Sequence, residues 1–467
     1  MSFDLSGLKS QVVARNVIIE IDDKNPLIQL ANSLLWDELA EIVFPDLKAT
    51  TKNQKWWLGR SLCPRIHIGA YFLQHIYKLT DRQTEYGIKD NAGYQLFCGK
   101  FLVKKWHCPD HTKIEEFRTR LSPDTQRKLV NALANRAVSL GFADASHIDI
   151  DSTVQEANMS YPTDTHLLCK LGAMAKKVAS YMNDKLPVFK IKPMDVNLKK
   201  IKSYARKCFF KDKNAGKAEK DKLLSGLLNC VSQEVKLVID NARCMGQHFI
   251  EKMPWNIKRK FLQFIEKGRK YLYDVKSFIE NGKMVADKIL SFHLNQVKCI
   301  TKNKPGKKYQ FGRIFQLARI KGNFLFAGKC EKPNQSDKDS IKMMLKTHAE
   351  TFENKQITSA TTDKGYYSSK NEKIMAKHGV DEIGIQRPNN IKKPRIKPLP
   401  LFRENELIDR RAGIEPLIGH AKNRSQLGRS RMKNDTTIEA SGFASILGFN
   451  LRQIIRYKMG NLKLEAT

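Results

Sequence analysis

No stretch of this chain holds the ~18 to 20 consecutive apolar residues that a bilayer span requires. The opening, MSFDLSGLKS, has no basic segment leading into an apolar one, so a cytoplasmic protein is expected. Acid is scarce: 48 Asp and Glu stand against 83 Lys and Arg, a formal charge of +35 over 467 residues. That excess points to a polyanionic partner, with phosphate backbones ahead of anionic membrane surfaces, because no lipidation motif or isolated amphipathic anchor is present. Paired C-x-x-C spacing is missing from the nine cysteines, which reads as reduced, mostly buried thiols. The segment HCPDH, His107 to His111, lies beyond Cys98 but has no second ligand pair, so packing is preferred over zinc. What remains is 41% hydrophobic and 28% charged, a globular composition with length for roughly two to four domains.

From about 25 to 140 the pattern is helical. NPLIQLANSLLWDELAEIVF repeats apolar residues at helical spacing, and SPDTQRKLVNALANRAVSLGF offers Ser122 or Asp124 as cap and Gly141 as stop. HIDIDSTV, 147 to 154, alternates instead, with Ile148 and Ile150 on one face and Asp149 and Asp151 on the other. Two like charges on one strand face are tolerable at a solvated edge or beside a cation. From about 165 to 290 the pattern is again helical and basic. Its segment KIKPMDVNLKKIKSYARKCFFKDKNAGK carries ten Lys or Arg against two Asp, with Tyr204, Phe209 and Phe210 among the cations. That mixture favours a surface tracking a nucleic-acid backbone over a merely solvated face.

Further on, QVKCITKN, YQFGRIFQLARI and NFLFAGKC read as two or three strands separated by turn chemistry. A helix capped by Ser336 or Asp337 follows. QITSATTDKGYYS is a strand that places Asp363 at its carboxyl end. Ser369 to Glu372 has capping-box form, Gly379 closes that helix, and VDEIGIQ is a short strand. The basic loop RPNNIKKPRIKPLP leads to a helix containing RRAGIEPLIGHAK, where Arg411, Glu415 and Lys422 fall on one stripe. The alternation after residue 145 implies a mixed α/β sheet, with acids near the ends of its first and fourth strands and on the last of these helices.

Phosphodiester chemistry needs an activated oxygen nucleophile and neutralised charge on the phosphoryl and leaving oxygens, which a pair of divalent cations held by a few carboxylates supplies. Asp151, Asp363 and Glu415 form such a set if the two strands are neighbours and the helix packs alongside. Arg411 and Lys422 would then hold substrate phosphates or steer the Glu.

These motifs resemble the DDE-class transposases of bacterial insertion sequences. DIDSTV, followed by YPTD at Tyr161 to Asp164, looks like the first-acid strand of that family, and TTDKGYYS is similar to its second-acid motif. RRAGIEPLIGHAK matches the Arg-x3-Glu-x6-Lys part of its third-acid signature. LTDRQTEYGIKDNAGYQLFCG and CPDHTKIEEFRTRL resemble its helical leading domain, and 170 to 290 is the least matched stretch. The resemblance implies an RNase H-like mixed sheet flanked by helices, with a helical N-terminal domain and a basic helical insertion after the first catalytic strand. It makes Asp151, Asp363 and Glu415 the metal-binding catalytic acids, for Mg²⁺ or Mn²⁺, and sets Arg411 and Lys422 on DNA near the scissile phosphate. One departure is Ile408, which stands where the fuller signature has Tyr. Asp149 remains a rival for the first acid, and only the D-S-T-V likeness favours Asp151.

The separation from Asp151 to Asp363 is 363 − 151 = 212 positions, against 52 from Asp363 to Glu415, so extra chain is expected after the first catalytic strand. The domains expected are 1–140, a DNA-binding helical domain; 145–165 with 291–460, the catalytic domain; and 166–290, the insertion. Lys199, Lys200, Lys202, Arg206 and Lys207 are the insertion's expected DNA contacts, and Arg429 and Arg431 in NRSQLGRSRMKN add more. The expected partners are double-stranded DNA (element ends and target) and, as the resemblance implies, a second copy in the DNA complex; no membrane is expected. A repressor without catalysis and a nuclease without strand transfer are the alternatives.

Overall fold

The computed structural model describes residues 21–48, 64–99, 108–184, 193–210, 216–283, 285, 287–304, 307–331, 335–388, 394–423 and 425–461. The alternating HIDIDSTV is the middle of a longer strand, β1 (Asp144–Glu156). It is joined by β2 (Lys298–Lys304), β3 (Lys307–Lys321), β4 (Phe324–Ala327), β5 (Ser359–Thr362) and β6 (Glu382–Ile385) in one six-stranded sheet. The order is β2-β3-β1-β5-β6, with β4 also pairing β3. β1 runs antiparallel to β3 and parallel to β5, and β5 runs parallel to β6. β1 is therefore an interior strand, so a solvated edge is not what accommodates Asp149 and Asp151. Asp151 also lies in mid-strand and not near its end, and Asp363 follows the fifth strand of the chain rather than the fourth, because β4 is a strand in its own right.

The described residues before β1 form seven helices, from Pro26–Ser33 to Pro123–Ser139. Ser122, not Asp124, caps the last of them, accepting from the Thr125 amide, and Gly141 follows it at φ 74°. These helices share one apolar core with the sheet, running from Leu30 and Phe72 through Leu133 to Ile150, Phe326 and Leu447. The final helix, Asp435–Lys458, closes that core, with Phe443 edge-on to Phe315 at 5.1 Å. Two asparagines do the work of a missing strand. Asn131 accepts from the Ala327 amide and donates to its carbonyl, while Asn450 does the same for Leu325. Buried β4 backbone that no further strand pairs is thereby satisfied.

Between β1 and β2 lie helices Asp164–Asn183, Leu198–Phe209, Lys217–Cys244, Gly246–Lys252 and Trp255–Asn281. They bury a core of their own around Leu171, Val231, Phe264 and Tyr271. Ile201, Ala205 and Cys208, spaced for one face of Leu198–Phe209, point into it, which turns the intervening cations outward. Ser336 caps the helix Asp337–Thr351. The next cap sits one residue earlier than the S-x-x-E spacing suggests: Ser368, accepting from the Asn371 amide, starts Ser369–Lys377. Gly379 follows it at φ 80°. The single helix expected around Glu415 is two, Leu401–Ala412 and Ile414–Asn423, meeting at Gly413.

Candidate active site

Strand register brings the first two acids together. β1 and β5 pair His147 with Ser359 and Ile150 with Thr362, a constant offset of 212. The same offset carries Asp151 to Asp363, the residue after β5, at the carboxyl end of that strand. The third acid arrives from the helices that follow β6. Gly413 keeps a right-handed helical conformation (φ −65°, ψ −13°), so Arg411 and Glu415 stay on the same side despite the break.

One guanidinium joins all three. Arg411 Nη1 lies 4.0 Å from Asp151 Oδ2 and 4.0 Å from Asp363 Oδ1, and Nη2 donates to Glu415 Oε1 at 3.2 Å. Access rises outward through the trio: the side chains are 20%, 48% and 62% exposed for Asp151, Asp363 and Glu415. Burial pushes the Asp151 carboxyl up to about 6; the Ser152 amide and Arg411 oppose this, while Asp363 and Glu415 add to it. The Ser152 amide donates to Asp151 Oδ1 at 2.7 Å. Among the described residues no three His, Cys, Asp or Glu side chains stand in a ready-made metal-ligand arrangement. The guanidinium occupies the space between the acids, and its Nε is buried with no hydrogen-bond partner in the structure.

Asp149 has a different setting. It is 3% exposed, accepts from Thr361 Oγ1 at 2.7 Å and from Arg410 Nε at 2.9 Å, and has Arg319 Nε 3.3 Å from its other oxygen. Arg410 also donates to Ser359 Oγ at 2.6 Å, so it fastens the helix Leu401–Ala412 to both β1 and β5. The doublet Arg410-Arg411 is visible in the sequence but the division of labour is not: Arg410 holds Asp149, while Arg411 faces Asp151, Asp363 and Glu415. Sequence reading passed over Tyr366, which is buried and donates to Gln316 Oε1 at 2.7 Å, bracing the turn that follows Asp363.

The remaining cations spread outward. Lys422 is half-buried in the last turn of Ile414–Asn423, and Arg429 and Arg431 are exposed in the loop beyond. Residues 428 to 430 run beside the end of β1, with the Glu156 amide donating to the Gly428 carbonyl and the Ser430 amide to the Glu156 carbonyl. Lys199, Lys200, Lys202, Arg206 and Lys207 are all exposed on Leu198–Phe209, as are Phe209 and Phe210, and Lys207 lies over Tyr204. In HCPDH, His107 is outside the described residues, while His111 Nδ1 meets Glu85 at 2.8 Å in a structural contact. No helix among the described residues is long and apolar enough to cross a membrane.

Residues 17–120 match the family described as Transposase domain (DUF772). A curated relative, "Uncharacterized protein ORF8 in nfe locus" of Rhizobium meliloti, is 27% identical over 109 residues, which are 23% of this chain and 53% of the relative. The chain thus spans about half the length of that relative. No solved structure matches.

Proposed function

We propose that the chain is a DNA transposase of the DDE class, cutting phosphodiesters at Asp151, Asp363 and Glu415 and joining the freed 3′-hydroxyl to target DNA. The observation that carries this reading is the convergence of those three acids, far apart in sequence, on the single guanidinium of Arg411. The transposase-domain match over 17–120 supports it from a part of the chain that contains none of the three. An RNase H-like assignment of the catalytic domain (145–165 with 291–460) draws on the order of the sheet, an antiparallel set continued by two parallel strands. Asp149, neutralised by Arg410 and Arg319, suits a structural role, which favours Asp151 as the first acid.

The acids are hard oxygen donors suited to Mg²⁺ or Mn²⁺, which would activate the attacking oxygen and stabilise the leaving one. Asp151, the most buried, would anchor; Asp363 and Glu415, nearer solvent, would close the set on the substrate side. Arg411 must then leave the acids, and a DNA phosphate offers its guanidinium a bidentate partner. Lys422 would hold a neighbouring phosphate. Lys199, Lys200, Lys202, Arg206 and Lys207 on the 166–290 insertion, with Arg429 and Arg431, would grip the duplex, and the 1–140 domain would contribute to end recognition. Pairing of two element ends calls for a homodimer on DNA.

The test is incubation with Mg²⁺ and a duplex bearing the inverted repeats that flank the reading frame, scoring both cut and joined products. Both are expected from the parent protein, and Asp151→Ala and Glu415→Ala should bind the duplex but lose at least ~10³-fold in rate. Cutting without joining would make the protein a nuclease, and binding without either a repressor, the outcome that Ile408 would favour. Manganese titration without DNA supplies a separate readout: Arg411→Ala should bind Mn²⁺ more tightly than the parent, and unchanged affinity would remove the competition argued here.

A further inference from the structure

A cleft of about 540 Å³ opens between the helices of the transposase-domain match and the last part of the chain. Among the described residues its lining includes Lys78, Arg118, Arg429 and Arg431 against one carboxylate, that of Asp81, which Arg118 holds at 3.0 Å. The described lining is therefore net positive, with Lys78, Arg429 and Arg431 contributing to it. Two polar atoms in the wall, Gln74 Oε1 and His75 Nε2, are buried with no hydrogen-bond partner in the structure, and Gln74 is only 5% exposed. Lys78 is unusual in its backbone as well. It ends the helix Pro64–Tyr77 at φ 57°, the left-handed region where glycine is the ordinary choice. Its Nζ reaches the carbonyl of Asn423, a residue of the cleft wall, at 3.3 Å.

Two independent rulers place this cleft beside the three acids. Along the helix Ile414–Asn423, Glu415 and the cleft residue Asn423 are 423 − 415 = 8 residues apart, about 12 Å at the helical rise. Along β1, Asp151 and Gln155 share one face and are about 13 Å apart. Gln155 Nε2 donates to Ser441 Oγ and to the Gln426 carbonyl, each at 3.0 Å, and both residues line the cleft. The strand and the helix thus lead from the acids to the same place.

We propose that the cleft holds the sugar-phosphate backbone of the DNA strand leading to the acids, roughly three to four base pairs from the phosphate they face, at 3.4 Å per base pair. This rests on the transposase reading for the presence of DNA. It adds a grip made jointly by the amino-terminal helices and the last loop, in which Lys78 is a phosphate-contacting residue. Backbone contacts of this kind fix register without reading sequence. The cleft would set how far the duplex slides before a phosphate meets the acids.

The experiment measures binding of the full chain to a 30-base-pair duplex in Ca²⁺ over a series of salt concentrations. The variants are Lys78→Gly, Arg429→Ala and the pair. Glycine accepts the positive φ, so Lys78→Gly should melt no lower than the parent, which separates lost binding from lost folding. Each single change should weaken binding on the order of tenfold at low salt and lower the slope of log K against log salt by about 0.9, with the pair losing about twice that. Lys346→Ala, at an exposed lysine that faces Glu350 on its own helix, serves as control and should leave both values unchanged. An unchanged slope in Lys78→Gly, with the parent still binding the duplex, would overturn the cleft while leaving the transposase reading intact. Titration of inorganic phosphate alone distinguishes a small-anion site. Saturable phosphate binding lost in Lys78→Gly, beside unaltered duplex affinity, would also overturn it.

Discussion

At Asp151 charge and burial conflict. Its carboxyl titrates at about 6 in the fold against an ordinary 3.8, with burial as the first cause. The folded protein therefore binds more protons at this site than the unfolded chain between those two values, and stability falls as pH rises through that window. Asp151→Asn removes the conflict and retains an oxygen for the Ser152 amide. In a chelator at pH 7.5 it should be more stable than the parent by on the order of 2 kcal/mol, with the difference closing toward pH 4. Denaturant melts at several pH values check this; a difference independent of pH would mean that Asp151 is not held against its charge. Arg411 limits the penalty, since its guanidinium is the cation on which all three acids meet. Asp151, Asp363, Glu415 and Arg411 could be singled out from the sequence because each lies in a local motif, and the fold places the four side chains together. The sequence did not disclose that Arg410 and Arg319 neutralise Asp149, because those contacts span 261 residues in one case and cross strands in the other.

Among the elements, β4 depends most on side chains for its backbone pairing. Asn450 exchanges two hydrogen bonds with Leu325 inside the core, where the freed amide and carbonyl would have no water. Asn450→Ala should cost about 2 to 4 kcal/mol, well beyond what its lost side-chain contacts alone would give. Thermal or urea unfolding measures it, and a loss under 1 kcal/mol would show that the strand edge finds another partner. The strands themselves were legible, since alternation in β1 and the apolar runs of β3 and β4 report burial directly. Asn131 and Asn450 were not, because a polar residue in a helical pattern gives no hint that a strand 196 or 125 residues away needs it. Periodicity also overlooked the break at Gly413, where the backbone stays helical and only the hydrogen-bond ladder is interrupted. The helix cap falls on Ser368 and not on Ser369, and two adjacent serines offer the same capping chemistry to a sequence pattern.

At the scale of the molecule there are two large apolar cores, one shared by the amino-terminal helices and the sheet, the other confined to the helices between β1 and β2. They should open separately in native-state hydrogen exchange. Leu171→Ala, inside the second core, should speed exchange in 164–281 by about tenfold or more while leaving β1 and β3 at their original rates. Equal acceleration in both would mean one cooperative unit. The segment that carries the second core leaves the sheet after Glu156 and returns at Lys298, two residues that pair with opposite edges of Gly312. Departure and return are thus two strand spacings apart, about 10 Å. The neighbourhood of Asp151 and Asp363 is fixed by ladder pairing and is blind to how much polypeptide is looped out elsewhere. That junction is a natural graft point, where a replacement module of any length could be spliced in without disturbing the pairing that sets Asp151 beside Asp363.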